Sequence, residues 1–273
     1  MNANEIIVGS FNICNDGTSQ KNQQTVWSRR MAYVIGLINT LYDKGVAVLA
    51  LQELRDLDDE PTAKTFLSLL RYKVAIVAAR DESKYAFGQA ILYNENMVKP
   101  ISSGMKRFYA NDKVTWMPVW ATFETELRHK FNVVNVHFPI DIESKIQACY
   151  DLMELKLDGI VTSADVYTGD FNTFPDDPTC CRSLLRARMD EVNDERNQHG
   201  HIVGGTFIGF EHDKFKAPVT GGESRLDNFF VKRHTRILLE HKTVWMVPIS
   251  GEVFKTRDYP SDHFPVTTTI RFA

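Results

Sequence analysis

From Trp27 through Met31, Val34, Ile38 and Leu41 the apolar residues recur every three or four positions, which lines up one face of an α-helix. Gly45 then supplies a stop, and the nearly unbroken apolar run Val46 to Leu51 predicts a strand covered on both faces. Ahead of the helix, Ile6 to Ile13 reads as a first strand. Pro61 opens a second helix expected to run to about Tyr72, because proline's fixed φ suits the first helical position. Beyond it the pattern becomes strand-like, with strands expected at Val74 to Ala79, Ala90 to Tyr93, Val119 to Phe123 and Phe131 to Phe138. Helical spacing returns at Ile142, Ile146, Cys149, Met153 and Leu157. A strand ending at Asp170, a helix around Pro178 to Arg188, and strands near Thr206, Leu226 and Val266 complete the series. Several strands follow one another with no helix between them, which argues against an all-parallel doubly wound sheet and for one α/β domain with helices covering two sheets.

Composition narrows the picture. With 43% hydrophobic residues the 273-residue chain can bury a sizeable core, and no linker or repeat divides it, so residues 1–273 are expected to form a single domain. The formal charge of −3 and pI near 6.2 provide no general basic field for gripping long nucleic acid. No apolar run approaches the roughly 20 residues of a membrane span, and the first strand begins too early to leave room for a signal peptide, so a cytoplasmic location is expected. Cys14, Cys149, Cys180 and Cys181 lack CxxC spacing, which predicts buried or free thiols rather than a zinc site.

Polar residues sit at the ends of the apolar runs, where a rigid scaffold holds a site: Asn12, Glu53, His137, and Asp170 with Asn172. The C-terminal third adds Asp227 ahead of Phe229 to Val231, and Ser261-Asp262-His263 ahead of Phe264 to Val266. Taken singly, each has an ordinary explanation. A glutamate closing a strand is usually solvated, Asp-Phe-Asn can be turn chemistry, and a lone histidine is more often a structural hydrogen-bonder.

Together the motifs FNI at 11–13, LQE at 51–53, NVHF at 135–138, GDFN at 169–172, RLDNFFV at 225–231 and SDHFPV at 261–266 resemble the endonuclease/exonuclease/phosphatase (DNase I-like) superfamily. The resemblance spans about residues 6–271 in the family's order. Arg80-Asp81, GTFIGF at 205–210 and YPSDHFPV at 259–266 are similar to a compact hydrolase branch that also resembles the deadenylase and nocturnin group. This resemblance implies a four-layer sandwich, two mixed β-sheets face to face between flanking helices, with the site at one end of the sheets. It further implies that Glu53, with Asn12 and Asp262, holds Mg²⁺, for which Mn²⁺ is expected to substitute. Asp170 would deprotonate the attacking water, and Asn172 would hold a phosphate oxygen or the nucleophile. His137 and His263 would stabilise transition-state charge, Asp227 would orient His263, and Arg80 would contact a substrate phosphate.

The implied activity is metal-dependent hydrolysis of a phosphate ester by a monomer. A phosphodiester of a nucleic acid or nucleotide, possible as a short single strand, ranks first among substrates. The alternatives are a phosphomonoester of a small molecule such as an inositol or sugar phosphate, and a catalytically silent binding module. The last is disfavoured by the completeness of the polar set. Phe207 and Phe210 read as core, and Lys214, Lys216 and Arg225 read as a solvated rim.

Overall fold

The computed structural model describes residues 4–14, 27–54, 65–79, 88–110, 113–157, 164–173, 181–192, 195–197, 206, 226–233, 237–239, 242–245 and 261–272. In chain order, β1 (Glu5–Asn12) and β2 (Val46–Leu54) flank α1 (Trp27–Asp43). Then come β3 (Lys73–Ala79), β4 (Gly88–Tyr93), β5 (Val98–Met105), β6 (Phe108–Ala110), β7 (Lys113–Trp116), β8 (Val119–Thr125) and β9 (Lys130–His137). Helix α2 (Ile142–Met153) precedes β10 (Ala164–Asp170), and α3 (Cys181–Arg188) precedes β11 (Met189–Glu191) and β12 (Glu195–Asn197). The chain ends through β13 (Asp227–Lys232), β14 (Ile237–Leu239), β15 (Lys242–Val244) and β16 (Val266–Phe272).

Among the described residues eight strands form one sheet in the order β12-β15-β16-β1-β2-β4-β3, with β14 also on β16; six form a second, β11-β13-β10-β9-β8-β5, and β6 pairs with β7 apart from both. Both are mixed, because β1 runs parallel to β2 and β9 parallel to β10 while most other neighbours are antiparallel. Three apolar clusters separate four layers. Val34, Ile38 and Leu41 of α1 pack on Phe11, Leu49 and Leu51 of the first sheet. Val8 and Val48 meet Val133, Val166 and Phe229 between the sheets. Val134, Tyr167 and Phe230 on the far face of the second sheet meet Ala148, Leu152 and Leu185 of α2 and α3. Each such buried side chain contributes about 1.5–3 kcal/mol, so the layered order follows directly from which positions are apolar.

Most of the expected elements are present, with differences at their ends. Gly45, at φ 81, closes α1 as expected. The helix expected from Pro61 to Tyr72 is helical among the described residues only at 65–68, and the chain then turns into β3. There Asn39 of α1 accepts the Arg71 N–H at 2.9 Å, and Leu70 and Tyr72 are buried under that helix, so tertiary contacts replace the next helical turn. The helix expected to include Leu157 stops at Met153, and Leu155 is buried beyond it. Thr206 itself lies in a bend, and the neighbours with which it was expected to form a strand lie outside the described residues. The β5 edge strand (VKPISSGM) has no alternating apolar face to announce it. Residues 178–180, and with them Cys180, lie outside the described residues, whereas Cys14, Cys149 and Cys181 are buried thiols in no disulfide among the described residues.

Candidate active site

Topology gathers the polar residues at one end of the sandwich. β1, β2, β9 and β10 all end there, carrying Asn12, Glu53, His137 and Asp170 at or beside their C-termini. β13 and β16 run antiparallel to β10 and β1, so their N-terminal ends reach the same place. Asp170 accordingly pairs in register with His137 on one side and Asp227 on the other. The β9–β10 approach is so close that Gly169, at φ 143, could carry no side chain: a Cβ would stand 1.9 Å from the Val136 carbonyl oxygen.

Asp170 is the centre of the cluster. Its Oδ2 accepts from Asn12 Nδ2 at 3.0 Å and lies 3.8 Å from His137 Nε2 and 3.6 Å from His263 Nε2. Its Oδ1 accepts the Asn172 backbone N–H at 2.8 Å, across a turn in which Asn172 takes φ 48. Asn12 also donates to Glu53 Oε1 at 2.9 Å, while its own oxygen accepts the Cys14 N–H. The amide thus joins two carboxylates that would otherwise repel. Asn172 spends one side-chain N–H on the Phe138 carbonyl at 2.9 Å, which fixes the loop against the end of β9.

The Ser261-Asp262-His263 segment is pinned by its serine. The Ser261 hydroxyl donates to the Asn12 carbonyl at 2.8 Å and accepts the His263 N–H at 3.2 Å, so β1 sets the position of the histidine. His263 Nδ1 lies 2.8 Å from Asp227 Oδ2, both side chains buried. Burial alone would lower the His263 pKa, but the charges of Asp227, Asp170 and Asp262 outweigh it and hold the imidazole well above its ordinary value. Glu53 is pushed the other way from an ordinary surface carboxylate. Burial raises its pKa, His137 and the Asn12 hydrogen bond pull it back, and Asp262 adds to the rise.

The structure therefore brings together all eight of the expected residues that are described: Asn12, Glu53, His137, Asp170, Asn172, Asp227, Asp262 and His263. Arg80 lies outside the described residues. Three supporting side chains were not singled out from sequence. Lys145 on α2 is buried and donates through Nζ to the Asn172 carbonyl at 2.5 Å. Lys242, fully buried on β15, donates to the Asp227 carbonyl at 2.8 Å. Thr206 accepts the Leu226 and Asp227 N–H groups on its hydroxyl, at 3.1 and 3.0 Å, and the Phe264 N–H on its carbonyl at 2.7 Å. A lysine within an otherwise apolar helical face was the available signal for Lys145. Nothing local marks the other two.

Glu53, His137 and Asp170 each offer an atom within 4.8 Å of the others, a spacing at which one cation can be shared. The donor set fits a hard divalent ion. Carboxylate oxygens dominate it, and the charge of Asp262 beside the partly buried Glu53 is a repulsion that positive charge would relieve. The Cys14 thiol beside them stays protonated, because burial and the same two carboxylates push its pKa up.

The sequence profile of the Endonuclease/Exonuclease/phosphatase family matches residues 9–263. The chain belongs to this family. Membership places it among hydrolases acting on phosphate esters. No curated protein matches the chain in sequence. Among solved structures, an endonuclease/exonuclease/phosphatase family protein of Bacteroides thetaiotaomicron superposes with TM-score 0.78 at 20% identity, covering 98% of this chain and 95% of that one. The mannosyl-6-phosphatase Bt3783 of the same organism gives TM-score 0.75 at 20% identity, over 98% and 100% of the two chains. The human nocturnin catalytic domain gives 0.68 at 16%, over 98% and 94%. At these identities the likeness is one of fold, and the fold is the DNase I-like sandwich of the family. Among the described residues no helix is long and apolar enough to cross a membrane.

Proposed function

We propose that this protein hydrolyses a phosphate ester with the help of Mg²⁺ or Mn²⁺, using a water aligned and deprotonated by Asp170. The observation that carries the reading is the surrounding of Asp170. Its carboxylate is fixed by the Asn172 N–H and Asn12, and it faces two imidazoles within 4 Å, His137 at 3.8 Å and His263 at 3.6 Å. A base so placed, with imidazole donors beside it, matches what attack on a phosphorus atom requires.

Glu53, the member common to the Glu53–His137–Asp170 cluster and the expected ligand set, would hold the cation with Asp262 and Asn12, leaving Asp170 and His137 for the water and the phosphoryl group; when bound, the cation supplies Lewis-acid polarisation of the phosphoryl oxygen and stabilises the leaving oxygen. Asp170 takes the proton of the attacking water as the new P–O bond forms and the ester P–O bond breaks, the leaving oxygen ending as an alcohol once it has taken a proton in turn. His263, kept charged by Asp227, and His137 donate to the phosphoryl oxygens as negative charge builds on them. The second side-chain N–H of Asn172 would serve a phosphate oxygen or the water, and Arg80 would meet a phosphate of the substrate.

For the substrate, the reading favoured here is a small phosphomonoester such as a sugar phosphate. It is supported by the acidic balance of the chain, net −3, and by the end-to-end likeness to a bacterial mannosyl-6-phosphatase. A nucleic-acid or nucleotide phosphodiester is the second reading, supported by the likeness in fold to nocturnin and to a zebrafish TDP2 solved with a single-strand DNA product. The test is one screen with Mg²⁺ and with Mn²⁺ against sugar phosphates, inositol phosphates, nucleotides, single-stranded RNA and DNA, and duplex DNA, with Asp170→Asn as control. Release of phosphate or cleavage products that vanishes in the control is expected. No turnover on any class with either metal would overturn the proposal.

A further inference from the structure

We propose that Asn135, which reaches across from the opposite sheet, is a positioning residue that holds the bulge by which Glu53 is turned into the site. β2 and β4 pair regularly up to Leu51 with Ala90 and resume at Leu54 with Gly88, so Gln52 and Glu53 on β2 stand against Gln89 alone on β4. Two residues opposing one is a β-bulge, and it re-aims the side chains at its position. Glu53 carries the backbone consequence, a φ of 58 that a residue with a side chain rarely adopts. Without the bulge, β2 would simply alternate, and the ladder would continue to the end of the strand.

An interrupted ladder in a fully buried place leaves carbonyls without their usual partners, which is costly unless something else donates to them. Asn135 does this from β9 of the other sheet. Its Nδ2 donates to the Leu51 carbonyl at 2.8 Å and to the Ala90 carbonyl at 3.0 Å, the two residues that form the last regular pair before the bulge. Its Oδ1 accepts from Gln52 Nε2 at 2.7 Å, which fixes the amide's orientation and occupies the side chain of the first bulged residue. Gln52 also donates to Ser10 Oγ of β1 at 3.0 Å. Asn135, Gln52 and Ser10 are all completely buried. The side-chain polar atoms of this inner cluster are thus directed to the backbone beside the bulge or to one another. Asn135 sits two residues before His137 on β9, so one strand delivers a site histidine at its end and the support for the facing glutamate within it.

The proposal rests on the reading of Glu53 as a cation ligand for its functional consequence, but its structural part stands apart from that reading. Asn135→Leu removes both donors while keeping the branched heavy-atom skeleton of the side chain, and Gln52→Met, which leaves the two carbonyl bonds in place and adds little volume, serves as a milder second variant if the first does not fold. On metal-free protein, hydrogen exchange followed by mass spectrometry is expected to quicken at least about tenfold in peptides covering residues 51–54 and 88–90, with residues 46–50 unchanged. Unchanged exchange at the bulge, or uniform quickening along all of β2, overturns the proposal. For the functional arm, Mn²⁺ titration by calorimetry is expected to show Asn135→Leu weakening binding at least about tenfold in the wild-type background and less than twofold in a Glu53→Gln background. Equal losses in the two backgrounds would mean general loosening and overturn it. A wild-type protein that takes up no Mn²⁺ would refute the cation reading of Glu53, and hydrogen exchange would then decide the role of Asn135 by itself.

Discussion

His263 Nδ1 and Asp227 Oδ2 are 2.8 Å apart in a part of the sandwich closed to water, and Asp227 in turn is tied by its backbone to Thr206 and Lys242. The contact decides the charge of the imidazole that faces Asp170. The charged form of His263 persists to higher pH than an ordinary histidine's, so activity that depends on it is lost as pH rises through the raised pKa. Asp227→Asn removes the largest charge holding it up, leaving Asp170 and Asp262. The alkaline limb of the kcat profile should move to lower pH, with kcat reduced roughly 10²-fold or more and KM little changed. A pH–rate series on the two proteins checks this.

Because the two side chains act as one unit, their losses should not add. The Asp227→Asn/His263→Ala double variant is expected to be within about threefold of His263→Ala alone, whereas Asp227→Asn with His137→Ala should approach the product of the single losses. Steady-state kinetics on the five variants measure the difference.

With Glu53 as the proposed ligand, cation affinity is expected to be sensitive to acid. Its carboxyl is raised by burial above the ordinary value, so the anion that binds a cation is lost on acidification sooner than an exposed glutamate's would be. Mg²⁺ or Mn²⁺ affinity should fall as pH drops through this raised pKa. Glu53→Gln should weaken affinity at neutral pH by about tenfold or more, flatten the pH dependence, and be partly rescued by added metal. EDTA should abolish turnover of the wild type. Calorimetric titrations at several pH values, paired with activity in chelator, provide the check.

Gly169→Ala tests the scaffold rather than the chemistry. The added methyl would fall 1.9 Å from the Val136 oxygen at a backbone angle closed to L-residues, so β9 and β10 must separate beside Asp170. A destabilisation on the order of 3 kcal/mol is expected in urea unfolding, with activity lost in whatever remains folded.

Much of this protein is legible in one dimension. The apolar period at Trp27–Leu41, the unbroken run at Val46–Leu51 and the polar residues closing the runs marked a helix, the central strands and the candidate residues, while the four-layer sandwich and the joining of those eight residues in one site were implied by the motifs' resemblance to the family. Those signals are local: a strand buried on both faces must be apolar throughout, and a functional group at its end interrupts that pattern visibly. Other features depend on partners far away in sequence. Asn135 within Val133–His137 and Gln52 within Leu49–Leu54 look like blemishes in apolar strands until the second sheet is laid on the first and each amide meets the bulge. Lys242 and Thr206 are ordinary residues until β13 is placed between them. The helix expected to continue to Tyr72 was decided by Asn39 and the buried Leu70, not by its own periodicity. Sequence by itself determined which residue types would be buried and which chemistry stood at the strand ends. The tertiary structure alone decided which buried polar groups would satisfy one another, because a hydrogen bond between two sheets leaves no periodic trace in either strand.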